Sequence, residues 1–182
     1  MPRIAAPRYT QVPFPPYAFV PGRNPHPHLS PKGHRFQPDR VPGQTPRLPP
    51  PERWRESTVY LLGCDLYNHA YWWEAHEAWE TLWRLTARAG TQGRFLKTLI
   101  QVTASHLILS MGKAAAAAHL LARARSNADH VCYATPGPSY MGVPLRAWMD
   151  QLDQYYATRL RDPSRPPRHD PSSYPTLRLQ LD

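Results

Sequence analysis

Apolar residues recur three and four positions apart through the middle of the chain, which is the spacing of one buried face of an α-helix. Breaks at glycine and proline divide this pattern into five predicted helices: about Glu52–Asn68, Trp72–Ala87, from after Gly93 to Met111, Lys113–Val131, and a fifth after Pro144. The short segment "HAY" between the first two predicts a tight helix hairpin. No segment alternates as a strand does, so the predicted fold class is all-α, a compact bundle of about five helices.

Proline divides the chain into an arm, a body and a tail. Fifteen of the 23 prolines lie in residues 1–51, and proline becomes frequent again after the fifth helix. We therefore predict a Pro-rich arm at 1–51, a helical bundle domain at 52–162 and a Pro-rich C-terminal tail at 163–182. The arm also holds four aromatic residues between Phe14 and Phe36, whereas disordered segments are usually poor in aromatics. Because Pro-rich chain is already stiff, ordering it costs little entropy, and we expect the extended arm to pack on the bundle.

The net charge of +9 comes mostly from the arm. Residues 1–51 carry seven Lys/Arg and one acid, which gives +6, whereas residues 52–162 carry twelve basic and ten acidic residues. A nucleic-acid-binding domain concentrates basic residues on a folded face, so the near-neutral bundle argues against nucleic acid as a partner.

Three absences point to a cytoplasmic protein without membrane contact. The N-terminus lacks the apolar core of a signal peptide, and no stretch approaches the roughly eighteen apolar residues of a membrane span. Cys64 and Cys132 are too few and too far apart for a disulfide framework, so we expect two reduced thiols.

The stretch "WWEAHEAWETLW", residues 72–83, concentrates the candidate chemistry. On a helical wheel the tryptophans lie mostly on the core face, and His76 and Glu80 lie at the edge of that face. Glu77 lies further round, and Glu74 points to solvent. Residues four apart on a helix lie one above the other, so His76 and Glu80 have the spacing to share a divalent ion. The alternative is structural: a buried histidine hydrogen-bonded to a neighbouring carboxylate.

Further histidines extend the candidate site. His106 lies in the middle of an apolar stripe of the third helix, where we expect it to face the hairpin that carries His76. The arm adds His26, His28 and His34 on stiff Pro-rich backbone that could close over the second helix. His-rich surface loops also bind metal adventitiously, and the arm histidines leave both interpretations open.

Three polar residues are candidates for orienting the ligands of such a site through hydrogen bonds. They are Asp65 and His69, four apart on the first helix, and Gln101 on the third. A surface ion pair is the alternative for Asp65 and His69.

The segments "LYNHAYWWEAHEAWETLWR" and "FLKTLIQVTASHLILSMG" closely resemble the bacterial and archaeal domain-of-unknown-function family numbered 309. Its members carry a Y-[WF]-E-A-H-E-x-[WL]-E-x-L-W signature followed by an F-L-[KQ]-x-L-I-Q helix. The arm elements "FPPYAFVPG", "NPHP" and "GH" are similar to those of longer members, so the resemblance covers about Phe14 to Val131. It implies an all-helical fold and an activity often labelled predicted metal-dependent hydrolase, with no established substrate. The signature positions that it implies are Glu74, His76, Glu77, Glu80, Trp83, Gln101 and His106.

Two functions of different classes follow as hypotheses. The first is a metal-dependent hydrolase of unknown substrate, with Glu77 as the general base that takes a proton from bound water. The ligands of its zinc-like divalent ion would be His76, Glu80 and His106, completed by His26 or His34. The second is a non-enzymatic helical-hairpin module that binds a protein partner, with a purely structural His/Glu cluster. The partner, a small molecule or a protein, and the oligomeric state stay open.

Overall fold

Five α-helices and a short 3₁₀ helix occur in the residues described by the computed structural model, which are 6–36, 47–160 and 174–181. The 3₁₀ helix is Pro51–Glu56, and the α-helices are α1 Thr58–Asn68, α2 Trp72–Trp83, α3 Thr91–Ser110, α4 Ala114–Ala134 and α5 Leu145–Leu160. None of these helices combines the length and the apolar character needed to cross a membrane. The described residues contain no strand, and the predicted all-α bundle is confirmed.

The first two helices differ from their predicted bounds. The helix predicted over Glu52–Asn68 is broken at Ser57, whose side-chain oxygen accepts from the Tyr60 N–H at 3.2 Å and so caps the start of α1. α2 ends at Trp83, four residues before the predicted end. There the Thr86 hydroxyl donates to the Trp83 carbonyl at 2.7 Å and satisfies one of the last helical acceptors. Local side-chain hydrogen bonds therefore accompany both boundaries.

α1 and α2 form the tight hairpin that the sequence predicts. The chain reverses through Ala70, whose φ of 64° lies in the left-handed region. The two helices approach closely at Gly63, where a Cβ atom would lie 2.3 Å from the indole nitrogen of Trp79. That nitrogen donates to the carbonyl oxygen of Tyr60 at 3.2 Å. Trp79 therefore sets the distance between the helices of the hairpin.

α3 is the central helix of the bundle, because it packs against both α2 and α4. Its predicted apolar stripe is buried: Phe95, Leu99, Val102 and Leu109. The alanines of α4 allow a close approach on the other side, where the Ser105 hydroxyl of α3 donates to the carbonyl of Ala117 at 2.7 Å.

The arm packs on the bundle through two buried carboxylates. Asp65 of α1 accepts hydrogen bonds from the backbone N–H groups of Tyr9 and Thr10, at 2.5 and 2.8 Å. Glu74 of α2 accepts one from the Phe19 N–H at 2.9 Å. Both carboxylates are fully buried. The predicted packing of the arm is confirmed for its described residues.

Residues 174–181 lie against the C-terminal end of α1. The Asn68 amide pairs with the backbone of Leu177, donating to its carbonyl at 2.9 Å and accepting from its N–H at 2.7 Å. The Tyr9 hydroxyl donates to the Leu177 carbonyl at 3.0 Å and accepts from the Leu179 N–H at 2.8 Å. The arm and the C-terminal segment therefore meet at this end of the helix.

Candidate metal centre

Three potential metal ligands lie together on α2, at the edge of the core. His76, Glu77 and Glu80 each offer one ligand atom, and these atoms all lie within 4.8 Å of one another. His76 and Glu80 are one helical turn apart, and Glu77 lies beside both of them. All three side chains are half-buried, so one side of the cluster faces solvent. Among the described residues, no other group of three His, Cys, Asp or Glu side chains meets this distance.

The imidazole of His76 is suited to bind an ion. Burial lowers its pKa, and the nearby carboxylates of Glu80 and Glu77 oppose that effect only in part. A metal ligand must be the neutral imidazole, and a lowered pKa keeps it neutral at pH 7. The backbone of Ile100 on α3 lies near the ring and also opposes the effect of burial on its pKa.

Cationic and imidazole side chains flank the two carboxylates. Arg84 Nη2 lies 3.1 Å from Glu80 Oε2, one turn further along α2. His28 of the arm places its Nε2 3.7 Å from Glu77 Oε2. Lys97 of α3 lies close enough to His76 to lower the pKa of its imidazole further. The negative charge of the cluster is therefore partly balanced by the protein itself.

His106 lies in the core, but the structure does not bring it together with the cluster. Its ring is fully buried and stacks on Trp72, with the ring centroids 5.1 Å apart. Nε2 lies 3.2 Å from the Tyr67 hydroxyl, and Nδ1 lies 3.3 Å from the Tyr156 hydroxyl. Both ring nitrogens therefore face tyrosine hydroxyls.

The proton on the His106 ring can be assigned from its neighbours. The single Tyr67 hydroxyl proton is donated to the carbonyl of Pro175 at 2.8 Å, so the same oxygen accepts from the Nε2–H of His106. In the neutral ring, Nδ1 then carries no proton. Burial lowers the pKa of this imidazole to about 3. His106 is thus a neutral core histidine that links three helices to the C-terminal segment.

The arm histidines have three different environments. His26 Nδ1 accepts from the backbone N–H groups of His28 and Leu29, at 3.2 and 3.3 Å, and so holds the turn that contains them. His34 Nε2 lies 3.2 Å from Glu74 Oε1, and its side chain is 3% exposed. Of the three, His28 is the histidine within 4 Å of a cluster carboxylate.

The prediction that Glu74 points to solvent is wrong. Its side chain is 0% exposed, because the arm covers the side of α2 that the helix bundle leaves open. One carboxylate oxygen meets Phe19 N–H and His34, and the other has no hydrogen-bond partner among the described residues. Burial raises the pKa of Glu74 to about 7 and lowers that of His34. Burial thus disfavours the charged forms of both Glu74 and His34, so their contact at neutral pH is a hydrogen bond and not a full ion pair.

The three residues predicted to orient ligands have other contacts in the described structure. Asp65 binds the arm backbone, and His69 Nδ1 lies 2.9 Å from the Asp65 carbonyl oxygen. The alternative of a surface ion pair is wrong for Asp65 and His69, because the Asp65 carboxylate is fully buried. Gln101 Oε1 accepts from the amide of Asn127 on α4 at 3.0 Å. These hydrogen bonds stabilise packing between elements.

His28 is the residue that sequence reasoning left out of the candidate ligand set. The sequence does carry a signal for it, since "NPHPH" places two histidines on stiff backbone. In an extended segment, however, a two-residue spacing does not decide which ring reaches the bundle. That choice depends on how the arm docks on α2.

Residues 60–120 match the model of the family described as Domain of unknown function (DUF309). The match runs from α1 into α4 and includes the whole His76 cluster. It confirms the family resemblance over this segment, which is one third of the chain, 61 of 182 residues. Neither the comparison with curated proteins nor the comparison with solved structures gave a match.

Proposed function

We propose that this protein binds a divalent transition-metal ion through His76, Glu77 and Glu80. The cluster geometry carries the proposal, because three ligand atoms lie within 4.8 Å of one another on one helix face. Ligands about 2.1 Å from a tetrahedral zinc ion lie roughly 3.4 Å apart, so small side-chain rotations suffice to meet one ion. Imidazole nitrogen and carboxylate oxygen are common ligands of zinc-like ions.

The finer proposal is that the centre serves hydrolysis. A zinc-like ion supplies a Lewis acid and lowers the pKa of a bound water to about 7. The half-buried position of the cluster leaves a side open for a water or a substrate. The contribution of the chain itself would be a carboxylate that takes up a proton, and Glu77 is the candidate for that role. Two surface grooves have no cluster residue in their walls, one lined by residues between Val131 and Arg146 and one by residues of α5 and of the segment 176–178. The geometry therefore supports an ion more strongly than any particular substrate.

Metal analysis of the purified full-length chain tests the proposal. The wild type should hold about one equivalent of a divalent ion after dialysis, and His76→Ala should lose it because two carboxylates alone bind zinc-like ions weakly. His119→Ala is the matched control, since His119 is an exposed histidine on α4 and should leave the metal content unchanged. The arm histidines are intact in both variants, so adventitious binding there appears equally in both.

Equal metal content in the wild type and His76→Ala, or none in either, would contradict the proposal. The second result would favour the non-enzymatic interaction module with a structural cluster. Glu77→Gln in the same experiment separates two roles. If Glu77→Gln keeps the metal but loses metal-dependent hydrolysis of a model ester, Glu77 acts as the proton acceptor. If Glu77→Gln loses the metal, Glu77 is a ligand.

A further inference from the structure

The Trp73 indole serves as a platform for the arm. Three arm rings lie against the indole: Phe19 at 5.3 Å, His28 at 5.6 Å and His26 at 5.8 Å between ring centroids. Trp73 precedes the His76 cluster by less than one turn of α2. The platform therefore brings this part of the arm next to the candidate metal ligands.

The loop that carries His28 is held in place by its own hydrogen bonds. The Ser30 N–H donates to the His26 carbonyl at 3.1 Å, and the Arg35 N–H donates to the Pro27 carbonyl at 3.0 Å. Gly33 is required for this fold, because a Cβ there would lie 2.3 Å from both carbonyl oxygens. The loop conformation and the side chain of His26 together direct the His28 ring toward α2.

The distance between His28 and Glu77 is compatible with an ion shared by the two side chains. Nε2 of His28 lies 3.7 Å from Oε2 of Glu77, which is too long for a hydrogen bond. Two ligands of one tetrahedral zinc ion lie at a similar separation, roughly 3.4 Å. The His28 side chain is 43% exposed and so has room to rotate toward the cluster.

We propose that His28 is a further ligand of the ion held by the α2 cluster, so that the metal centre is shared between arm and bundle. This inference rests on the proposed metal binding by His76, Glu77 and Glu80. His28 would join His76, Glu77 and Glu80, so that two imidazole nitrogens and two carboxylate oxygens hold the ion, and both are common ligand types of zinc. Binding of the ion then fastens the arm to α2.

The other two arm histidines are less suited to this role. The Nδ1 atom of His26 already accepts two backbone N–H groups, which a metal ion at that atom would displace. The Nε2 atom of His34 faces the buried carboxylate of Glu74. His28 is the arm histidine whose ring nitrogen lies within 4 Å of a cluster carboxylate.

Zinc affinity, measured by competition with a chromophoric chelator, tests the proposal on the full-length chain. His28→Ala should weaken zinc binding by at least about tenfold, since even residues that only orient ligands are worth 10- to 100-fold. His130→Ala is the matched control, because His130 is exposed on α4 and hydrogen-bonds only within its own helix. Circular dichroism should show an unchanged helix content in both variants.

A second readout counts imidazoles directly. Pulsed electron paramagnetic resonance of the copper(II)-loaded protein should detect two bound imidazoles in the wild type and one in His28→Ala. Unchanged zinc affinity together with a single imidazole in the wild type would overturn the inference and leave the α2 site standing. If the wild type binds neither zinc nor copper, the proposed function itself fails, and the inference fails with it.

Discussion

His106 owes its role to five aromatic rings that enclose it. The rings of Tyr67, Trp72, Tyr155, Tyr156 and Tyr174 all lie within 5.7 Å of its ring centroid. Burial there excludes the charged imidazolium, which accounts for the strongly lowered pKa. Sequence periodicity makes His106 a candidate ligand, but in the structure it is a neutral histidine of the core.

The stability of the protein should depend on pH through His106. Its pKa of about 3 in the folded chain lies below the ordinary value of 6.5, so the unfolded chain binds the proton more tightly. The stabilisation is then complete above pH 6.5 and is lost progressively as the pH falls toward 3. Between pH 7 and pH 5 this group should remove roughly 2 kcal/mol from the free energy of unfolding.

Urea unfolding at pH 7 and pH 5 checks this expectation, with His106→Gln as the variant. His106→Gln should be less stable at pH 7 but should lose less stability on going to pH 5 than the wild type does. His119→Gln, at an exposed position of α4, should keep the wild-type pH dependence. If the free energy of unfolding changes equally between pH 7 and pH 5 in the wild type and in His106→Gln, His106 does not titrate as its burial requires.

At the scale of secondary structure, the α1–α2 hairpin determines where the cluster lies. The close approach at Gly63 turns the core face of α2, with Trp79, toward α1. His76 and Glu80 then fall at the edge of the core, half-buried, because they lie beside that face on the wheel. The position of the candidate ligands thus follows from helix packing.

Gly63→Ala should destabilise the hairpin. The added Cβ would lie 2.3 Å from the Trp79 indole, and the helices must separate or the ring must move. Overpacking of this kind costs about 1–3 kcal/mol, which outweighs the better helix propensity of alanine. Gly137→Ala is the control, because the nearest atom to its Cβ would be 4.0 Å away.

Thermal unfolding of the two glycine variants measures the difference. Gly63→Ala should lower the midpoint by several degrees, and Gly137→Ala should leave it within about a degree. Equal midpoints for the two variants would mean that the hairpin adjusts without cost and that the Trp79 contact does not set the helix distance.

Periodicity predicts the bundle better than it predicts the site. The helices α3, α4 and α5 and the edge position of His76 and Glu80 follow from spacing along one helix, which a single sequence contains. The burial of Glu74 depends on Phe19, which is 55 positions away in the arm. A helical wheel contains no information about such a partner, and it therefore assigns Glu74 to solvent.

At the scale of the whole molecule, the arm is attached by polar contacts to buried acids as well as by apolar packing. Asp65 and Glu74 each accept backbone N–H groups from the arm, at separate places on the hairpin. The sequence predicts that the arm packs, because of its stiffness and its aromatic residues. It does not indicate which carboxylates hold it, since both acids sit within regular helix patterns.

Glu74→Ala should loosen the arm. The substitution leaves the buried Phe19 N–H without its acceptor, at a cost of about 1–3 kcal/mol. Amide hydrogen exchange at Phe19 and Val20 should then accelerate by about tenfold to a hundredfold. Glu56→Ala is the control, because that glutamate forms an exposed ion pair with Arg53. Unchanged exchange in Glu74→Ala would show that the arm is held by its apolar contacts alone.

The proposed function depends most on the ion at the α2 cluster, and anomalous X-ray diffraction can locate that ion directly. Crystals of the full-length chain grown with zinc should be measured on both sides of the zinc absorption edge. We predict one strong anomalous peak within about 2.3 Å of a His76 ring nitrogen and a Glu80 carboxylate oxygen. A map with no peak at His76, or with zinc bound only elsewhere on the chain, would contradict metal binding by the α2 cluster.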